Sequence, residues 1–333
     1  MRKLFSILAL CLSGWSLNAA ASDQVEIGYM PIIPVSQAFL TLEQERLAAT
    51  GFENPELIQF QNGPAMVQAL LAGQLDIAYL GIGPAMVARA KGADIKVVAS
   101  NIVEQISLVA LGELAPYFES GDPATAFSRF AADKGRKPVI ATFPAGSVPE
   151  TVLQYWLRKQ LAIDPSQVEI VYQGAAQVQQ SLLTGAVDGA AILEPIVSIS
   201  LERIPEARVV ASGSEMFPKQ PGAVLVVREA LINEQPEKVQ ALVNVHAEVS
   251  RVLREQPETA VAAVQRYVGG GRLSIDVVQR ALENSRENFV DDPRLIVEGA
   301  RNMRDFQAEI GTLKADVDLD QLFDTRFYQS LTQ

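Results

Sequence analysis

One stretch of this chain repeats itself. Residues 58–78 can be laid on 170–190 at a constant offset of 112, and eight of the 21 positions are identical. Ile58, Gln61 and Gln68 match Ile170, Gln173 and Gln180. Leu70, Leu71, Gly73, Asp76 and Ala78 match Leu182, Leu183, Gly185, Asp188 and Ala190. Each copy reads as strand, helix, glycine stop, aspartate and strand. A helical period that switches to a short buried apolar run, twice over, predicts two α/β units of one design. Convergence on a common helix–Gly–Asp–strand grammar would give the same architecture without shared descent.

The pattern extends on both sides of the repeat. Val25–Tyr29 alternates as a strand, broken by Met30-Pro31-Ile32-Ile33-Pro34, and Ser36 is placed to cap one helix running to Thr50. Ile58–Phe60, Asp76–Leu80, Ile95–Ala99 and Ile106–Leu111 read as further strands, with helices from Pro64 to Ala72 and from Ala85 to Gly92. A punctuated polar stretch over 112–138 holds a short helix near Ala124–Phe130. The alternation then restarts at Val139–Phe143. Beyond Pro236 the pattern is helical: Glu237–Arg254, Glu258–Tyr267, Asp276–Phe289, Arg294–Glu309 and Leu319–Phe327.

The beginning of the chain reads as an address. Arg2 and Lys3 precede the apolar run Leu4–Leu12, and Ala19-Ala20-Ala21 offers a small-residue cleavage site before Ser22. This is the layout of a secretory signal peptide, and the run is shorter than the ~20 residues a membrane span needs. Removal of residues 1–21 leaves 333 − 21 = 312 residues, takes away the single cysteine, Cys11, and moves the formal charge from −11 to −13. A cysteine-free chain suits an oxidising compartment, and an acidic one without a basic patch is unsuited to nucleic acid.

Catalytic chemistry has little to work with. His246, the only histidine, lies inside a helix without a ligand-spaced partner, so no metal site is expected. There is no Gly-x-Ser-x-Gly elbow, Gly81-x-Gly83 lacks the third glycine of a dinucleotide loop, and no phosphate loop is present. Asp76 and Asp188 follow helix stops and read as turn or cap residues. No cofactor is expected.

A two-lobed α/β protein forms its cleft where strand ends meet helix starts, and helix starts present N–H groups and a dipole that favour anions. Four segments qualify: Pro31–Gln37, Gly81–Ala85, Gly146–Glu150 and Glu194-Pro195. The candidate ligand contacts are Tyr29, Pro31, Ile32, Ser36 and Gln37 from the first, and Gly81, Gly83, Pro84 and Ala85 from the second. Phe143, Gly146, Ser147 and Val148 come from the third, and Glu194 closes the set. Tyr29, Phe143 and Tyr172 are aromatic wall candidates, with core packing the alternative for each.

In the order and spacing of Ile27-Gly28-Tyr29, Ala69–Ala78, Gly81-Ile82-Gly83-Pro84, Lys91–Ala99, Gly146-Ser147, Leu182–Asp188 and Gly222–Val227, the chain resembles the solute-binding proteins of ABC importers. The group is the one for nitrate, sulfonates and taurine, which is similar also to thiamine-precursor binders. That resemblance implies a bilobal type II periplasmic-binding-protein fold with two parallel or mixed sheets and two hinge crossings. Residues 22–107 would open the first lobe, 108–210 form the second, and 211–333 return to the first and supply the C-terminal helices. It implies a periplasmic monomer, not an enzyme, that binds a small anionic or zwitterionic solute such as an aliphatic sulfonate or taurine. Its partner would be an ABC permease in the inner membrane. Nitrate, bicarbonate, an amine or a pyrimidine are the alternative ligands, and presentation to a membrane sensor or a periplasmic enzyme activity the alternative roles. The resemblance places the head group among Pro31–Gln37, Gly81–Ala85 and Ser147-Val148.

Overall fold

The computed structural model describes residues 24–119 and 121–332, so the signal peptide read at 1–21 lies outside the described residues. Ten strands form two mixed five-stranded sheets. The first holds β1 (Glu26–Tyr29), β2 (Glu56–Gln59), β3 (Ile77–Gly81), β4 (Ile95–Ser100) and β10 (Ala223–Arg228), in the order β2-β1-β3-β10-β4. The second holds β5 (Ser107–Ala110), β6 (Val139–Thr142), β7 (Glu169–Tyr172), β8 (Gly189–Ile192) and β9 (Arg208–Ala211), in the order β7-β6-β8-β5-β9. In each sheet one strand runs antiparallel to both its neighbours, β10 between β3 and β4 and β5 between β8 and β9, and each is the first strand after a passage from the other sheet. The polypeptide therefore crosses between lobes twice, at 101–106 and at 212–222. This is the bilobal type II architecture.

The repeat is real in space, with one slip. The helices Gly63–Leu71 and Ala175–Leu183 stand 112 residues apart, but β2 and β7 stand 113 apart. Three residues join β2 to its helix and two join β7 to its own, which absorbs the difference. The conserved grammar has a physical purpose at its aspartates. Asp76 accepts the Glu26 N–H at 3.2 Å and pairs with Arg228. Asp188 accepts the Val139 N–H at 2.8 Å and takes Arg136 through both guanidinium nitrogens, at 2.6 and 2.7 Å. Each carboxylate thus pins the start of a central strand to an arginine, a stronger link than the turn or cap role read from sequence.

Helix limits depart from the sequence reading in several places, the helix expected from Ala85 to Gly92, for one, running over Ile82–Ala90. The predicted helix from Ser36 to Thr50 is two helices, Ser36–Thr41 and Gln44–Thr50, preceded by a 3-10 turn at Ile33–Val35. Ser36 is inside the first of these and caps nothing; its hydroxyl donates back to Ile33 O at 2.7 Å. The short helix expected near Ala124–Phe130 runs over Pro123–Lys134, with Asp122 as its cap. The last predicted helix divides into Leu319–Leu322 and Arg326–Gln329. Phe323 between them bridges to Val97 of β4.

Four long helices follow β10: Pro236–Glu255, Pro257–Tyr267, Ile275–Ser285 and Val297–Glu309. The first two open on proline, whose missing N–H costs nothing there. Their buried stripes cover the first lobe and the seam between lobes. His246 is fully buried on the first, its Nε2 2.7 Å from Ser100 O and its ring stacked on Tyr79. Among the described residues no helix is long and apolar enough to cross a membrane, and no group of His, Cys, Asp or Glu could hold a metal ion.

Candidate functional site

The lobes meet where β1, β3, β6 and β8 end, and the small cavity left between them has a volume of about 20 Å³. Met30, Ile32, Phe143, Leu193, Ser147 and Gln105 are among its walls. The first predicted ligand turn is divided in its loyalties. Ile32 and Val35 face the cleft, whereas Ser36 and Gln37 are fully buried. Gln37 donates to Asn101 O at 2.8 Å and accepts from Asn101 Nδ2 at 3.1 Å, tying the turn to the first hinge crossing. Pro31 is half-buried beside it. Tyr29 packs edge-on to Phe39 and Tyr267, with ring centroids 5.8 and 5.9 Å away, so its ring serves the first lobe's core.

The second turn leads from β3 into the helix Ile82–Ala90. Gly81 and Pro84 line the cleft and Ala85 is buried behind them. Here glycine is required by the approach of the other lobe. A Cβ on Gly81 would fall 2.8 Å from Val148 Cγ2, and one on Gly83 would fall 2.8 Å from Gln307 Nε2 and 3.1 Å from Gly146 O. Both glycines, candidate ligand contacts in the sequence, thus leave room for this close approach.

The third turn leads from β6 through Phe143 and Gly146 to the helix Val148–Tyr155. Gly146 has φ +83°, which glycine adopts without strain. Its N–H donates to Glu150 Oε2 at 3.2 Å, so it is taken within its own turn. Ser147 caps the helix by accepting the Glu150 N–H at 3.4 Å, and it lines the cleft with Val148 and Pro149. Ile82 donates to Gly222 O at 2.8 Å, while Pro84 and Pro149 have no N–H to offer. In the first three positions of the two helices, the N–H groups of Gly83 and Val148 carry no hydrogen bond among the described residues, and of these two residues Val148 lines the cleft. Burial pushes the Glu150 carboxyl up to about 6, against the lowering effect of the Gly146 N–H and the charge of Arg158.

Glu194 is not part of this cavity. Its carboxylate accepts from Ser198 N, Ser198 Oγ and Asn284 Nδ2, all at 2.9 Å, and faces a separate hollow beside the hinge. Burial raises its pKa and these donors hold it down. Its carbonyl, in contrast, reaches the first lobe and accepts the Ile33 N–H at 3.2 Å. Tyr172 is half-exposed at the rim of the second lobe.

Other residues close the cleft. Gln307 is fully buried and donates to Thr151 Oγ1 at 3.0 Å, joining the helix Val297–Glu309 to the second lobe. Tyr155 stacks on Phe217 at 3.7 Å and meets Phe306 edge-on at 5.1 Å, and Lys159 pairs with Glu309 at 2.7 Å. Sequence reasoning passed over Gln307, although its spacing from Gly299, Ala300, Met303 and Phe306 sets it on the buried face of an amphipathic helix.

Two lobes, two crossings and a cleft at the strand ends define the fold class of the periplasmic solute-binding proteins. Residues 18–268 match the NMT1-like family, and the chain belongs to it. A binding protein of Brucella abortus (strain 2308) is 25% identical over 266 residues, 78% of this chain and 77% of that protein. The alkanesulfonate-binding protein of Xanthomonas axonopodis pv. citri, solved bound to MOPS, superposes with a TM-score of 0.72 at 20% identity, covering 92% of this chain and all of that one. The periplasmic nitrate-binding protein of Synechocystis PCC 6803 superposes with a TM-score of 0.74 at 13% identity, covering 93% and 88%.

Proposed function

We propose that this protein binds a small oxyanion carrying an apolar tail, of the aliphatic sulfonate type, and delivers it in the periplasm to an ABC importer of the inner membrane. One observation carries the reading: two helix starts, at Ile82 and Val148, meet over a floor of Met30, Ile32, Phe143 and Leu193. The N–H groups of Gly83 and Val148 suit an anionic head, and the apolar floor suits an alkyl tail. Glu194 argues against taurine as the preferred sulfonate. An amine in the cleft would find apolar side chains, because that carboxylate is engaged by Ser198 and Asn284 elsewhere. A bare anion such as nitrate or bicarbonate would leave the apolar floor unfilled.

A cavity of about 20 Å³ has room for about one water, so the lobes must part to admit a ligand. Capture then combines opening, head-group contact on both lobes and reclosure. Calorimetry on signal-free protein with methane- to octanesulfonate, taurine, nitrate and bicarbonate tests the assignment. Affinity should rise about fourfold per added methylene, the worth of ~0.8 kcal/mol each, until the floor is covered. Ethanesulfonate should bind more tightly than taurine, and no ligand should be chemically altered on prolonged incubation. Nitrate or bicarbonate binding more tightly than every alkanesulfonate would overturn the proposal.

A further inference from the structure

One residue beyond Leu193 in the cleft wall, Glu194 faces a second cavity, of about 450 Å³. Its walls come from both hinge crossings and from two helices that face each other across the lobes. Glu104, Gln105 and Ser107 belong to the first crossing and the strand it enters, and Ser212 and Ser214 to the second. Ile196–Arg203 and Ile275–Ser285 are the facing helices, the latter contributing Asn284.

The lining carries net negative charge. Glu104, which accepts the Lys219 N–H at 2.6 Å through one oxygen, and Glu194 bring two carboxylates, and no lysine or arginine lines the cavity. Glu194, 7% exposed, receives three hydrogen bonds where a carboxylate can accept about four. Gln105, shared with the wall of the cleft cavity, keeps its Oε1 buried away from both and without a hydrogen-bond partner among the described residues. Arg280, whose charge also reaches Glu194, pairs with Glu202 at 3.3 Å across the two helices.

We propose that the hinge cavity is a second binding site, separate from the cleft, for a small solute bearing an ammonium group. Occupancy there touches both crossings at once, so it favours one hinge angle over others. The ammonium solute and the cleft ligand are therefore linked, each changing the other's affinity by the same factor.

Calorimetry with putrescine and with 1,4-butanediol, its uncharged counterpart of the same length, tests the site. Putrescine should saturate one site per chain and butanediol should not bind. Val209 lines the cavity and is 42% exposed, so Val209→Phe fills the space without disturbing a core and should abolish putrescine binding. Glu104→Gln should weaken it roughly fivefold, the effect of losing one solvent-accessible ion pair. Equal binding of the amine and the diol, no binding of putrescine, or putrescine binding unchanged in Val209→Phe would each overturn the proposal. Alkanesulfonate titrations report on the cleft and putrescine titrations on the hinge cavity, so the two assignments stand or fall separately.

Discussion

Gly83→Ala should hold the two lobes apart. The added methyl would lie 2.8 Å from Gln307 Nε2 and 3.1 Å from Gly146 O. The carbonyl needs only a few tenths of an ångström of relief, but the Gln307 amide must leave its place. It then loses the 3.0 Å bond to Thr151 Oγ1 that joins the helix Val297–Glu309 to the second lobe. A neutral buried hydrogen bond is worth about 1 kcal/mol net, so the ratio of closed to open molecules should fall about fivefold. The first lobe itself should not suffer, because Gly83 lies in the helix Ile82–Ala90, where alanine is favoured over glycine by about 1 kcal/mol. Small-angle scattering of ligand-free protein should show a larger radius of gyration than wild type, with a melting temperature equal or higher. Alkanesulfonate affinity should fall by less than this factor, because the contact is lost from the closed free form as well as from the closed complex. Gln307→Ala should reproduce the effect, and adding Gly83→Ala to it should cost little more, since the methyl then has room. Scattering and affinity identical to wild type in both single variants would refute the view that this contact holds the cleft shut.

Three further outcomes follow from the same geometry. Asp188→Ala should destabilise by about 2 kcal/mol in urea unfolding, because it strands both the Val139 N–H and the Arg136 guanidinium, and Asp76→Ala should do the same in the first lobe. Glu150 titrates near 6 when folded and at its ordinary 4.5 when unfolded, so the folded state holds the proton longer. Its contribution therefore falls as pH rises from 4.5 to 6, by ~2 kcal/mol in total, and Glu150→Gln should remove that part of the slope in stability measured against pH. Ser147→Ala deletes the acceptor of the Glu150 N–H and should lower stability by about 1 kcal/mol in the same assay, while Ser147→Asn should restore most of it.

Much of the fold was legible because its signals are local. A glycine that stops a helix, an aspartate after it and a buried apolar run are set by neighbours a few residues apart, and Gly73 and Gly185 do stop their helices with φ of +69° and +67°. The antiparallel insertions of β5 and β10 were not legible from periodicity, since strand direction depends on which lobe the chain has just left. The resemblance to a bilobal family allowed for mixed sheets and two crossings without saying which strands reverse. The break at Leu42-Glu43 was missed for a related reason. The Ser36–Thr41 helix packs on the Pro236–Glu255 helix, two hundred residues away in sequence, and that packing decides where it turns.

The site shows how far a strand end can be read. Ile32, Gly81, Pro84, Phe143, Ser147 and Val148, candidates by their position along the chain, line the small cavity between the lobes, because strand ends and helix starts lie there in a sheet of this topology. Which way a side chain points at such a turn is a different question, and it depends on partners distant in sequence. Gln37 turns inward because Asn101 offers it both a donor and an acceptor. Glu194 turns toward the hinge because Ser198, one helical turn later, and Asn284, ninety residues later, satisfy its carboxylate. A buried charge goes where its hydrogen bonds are, since leaving it without them in an apolar cleft costs far more than any ligand contact returns. Glu194, a candidate ligand contact in the sequence, lines the hollow beside the hinge and not the small cavity at the strand ends. Under the two proposals, that direction offers the carboxylate to an ammonium at the hinge and leaves the cleft to an anion with an apolar tail.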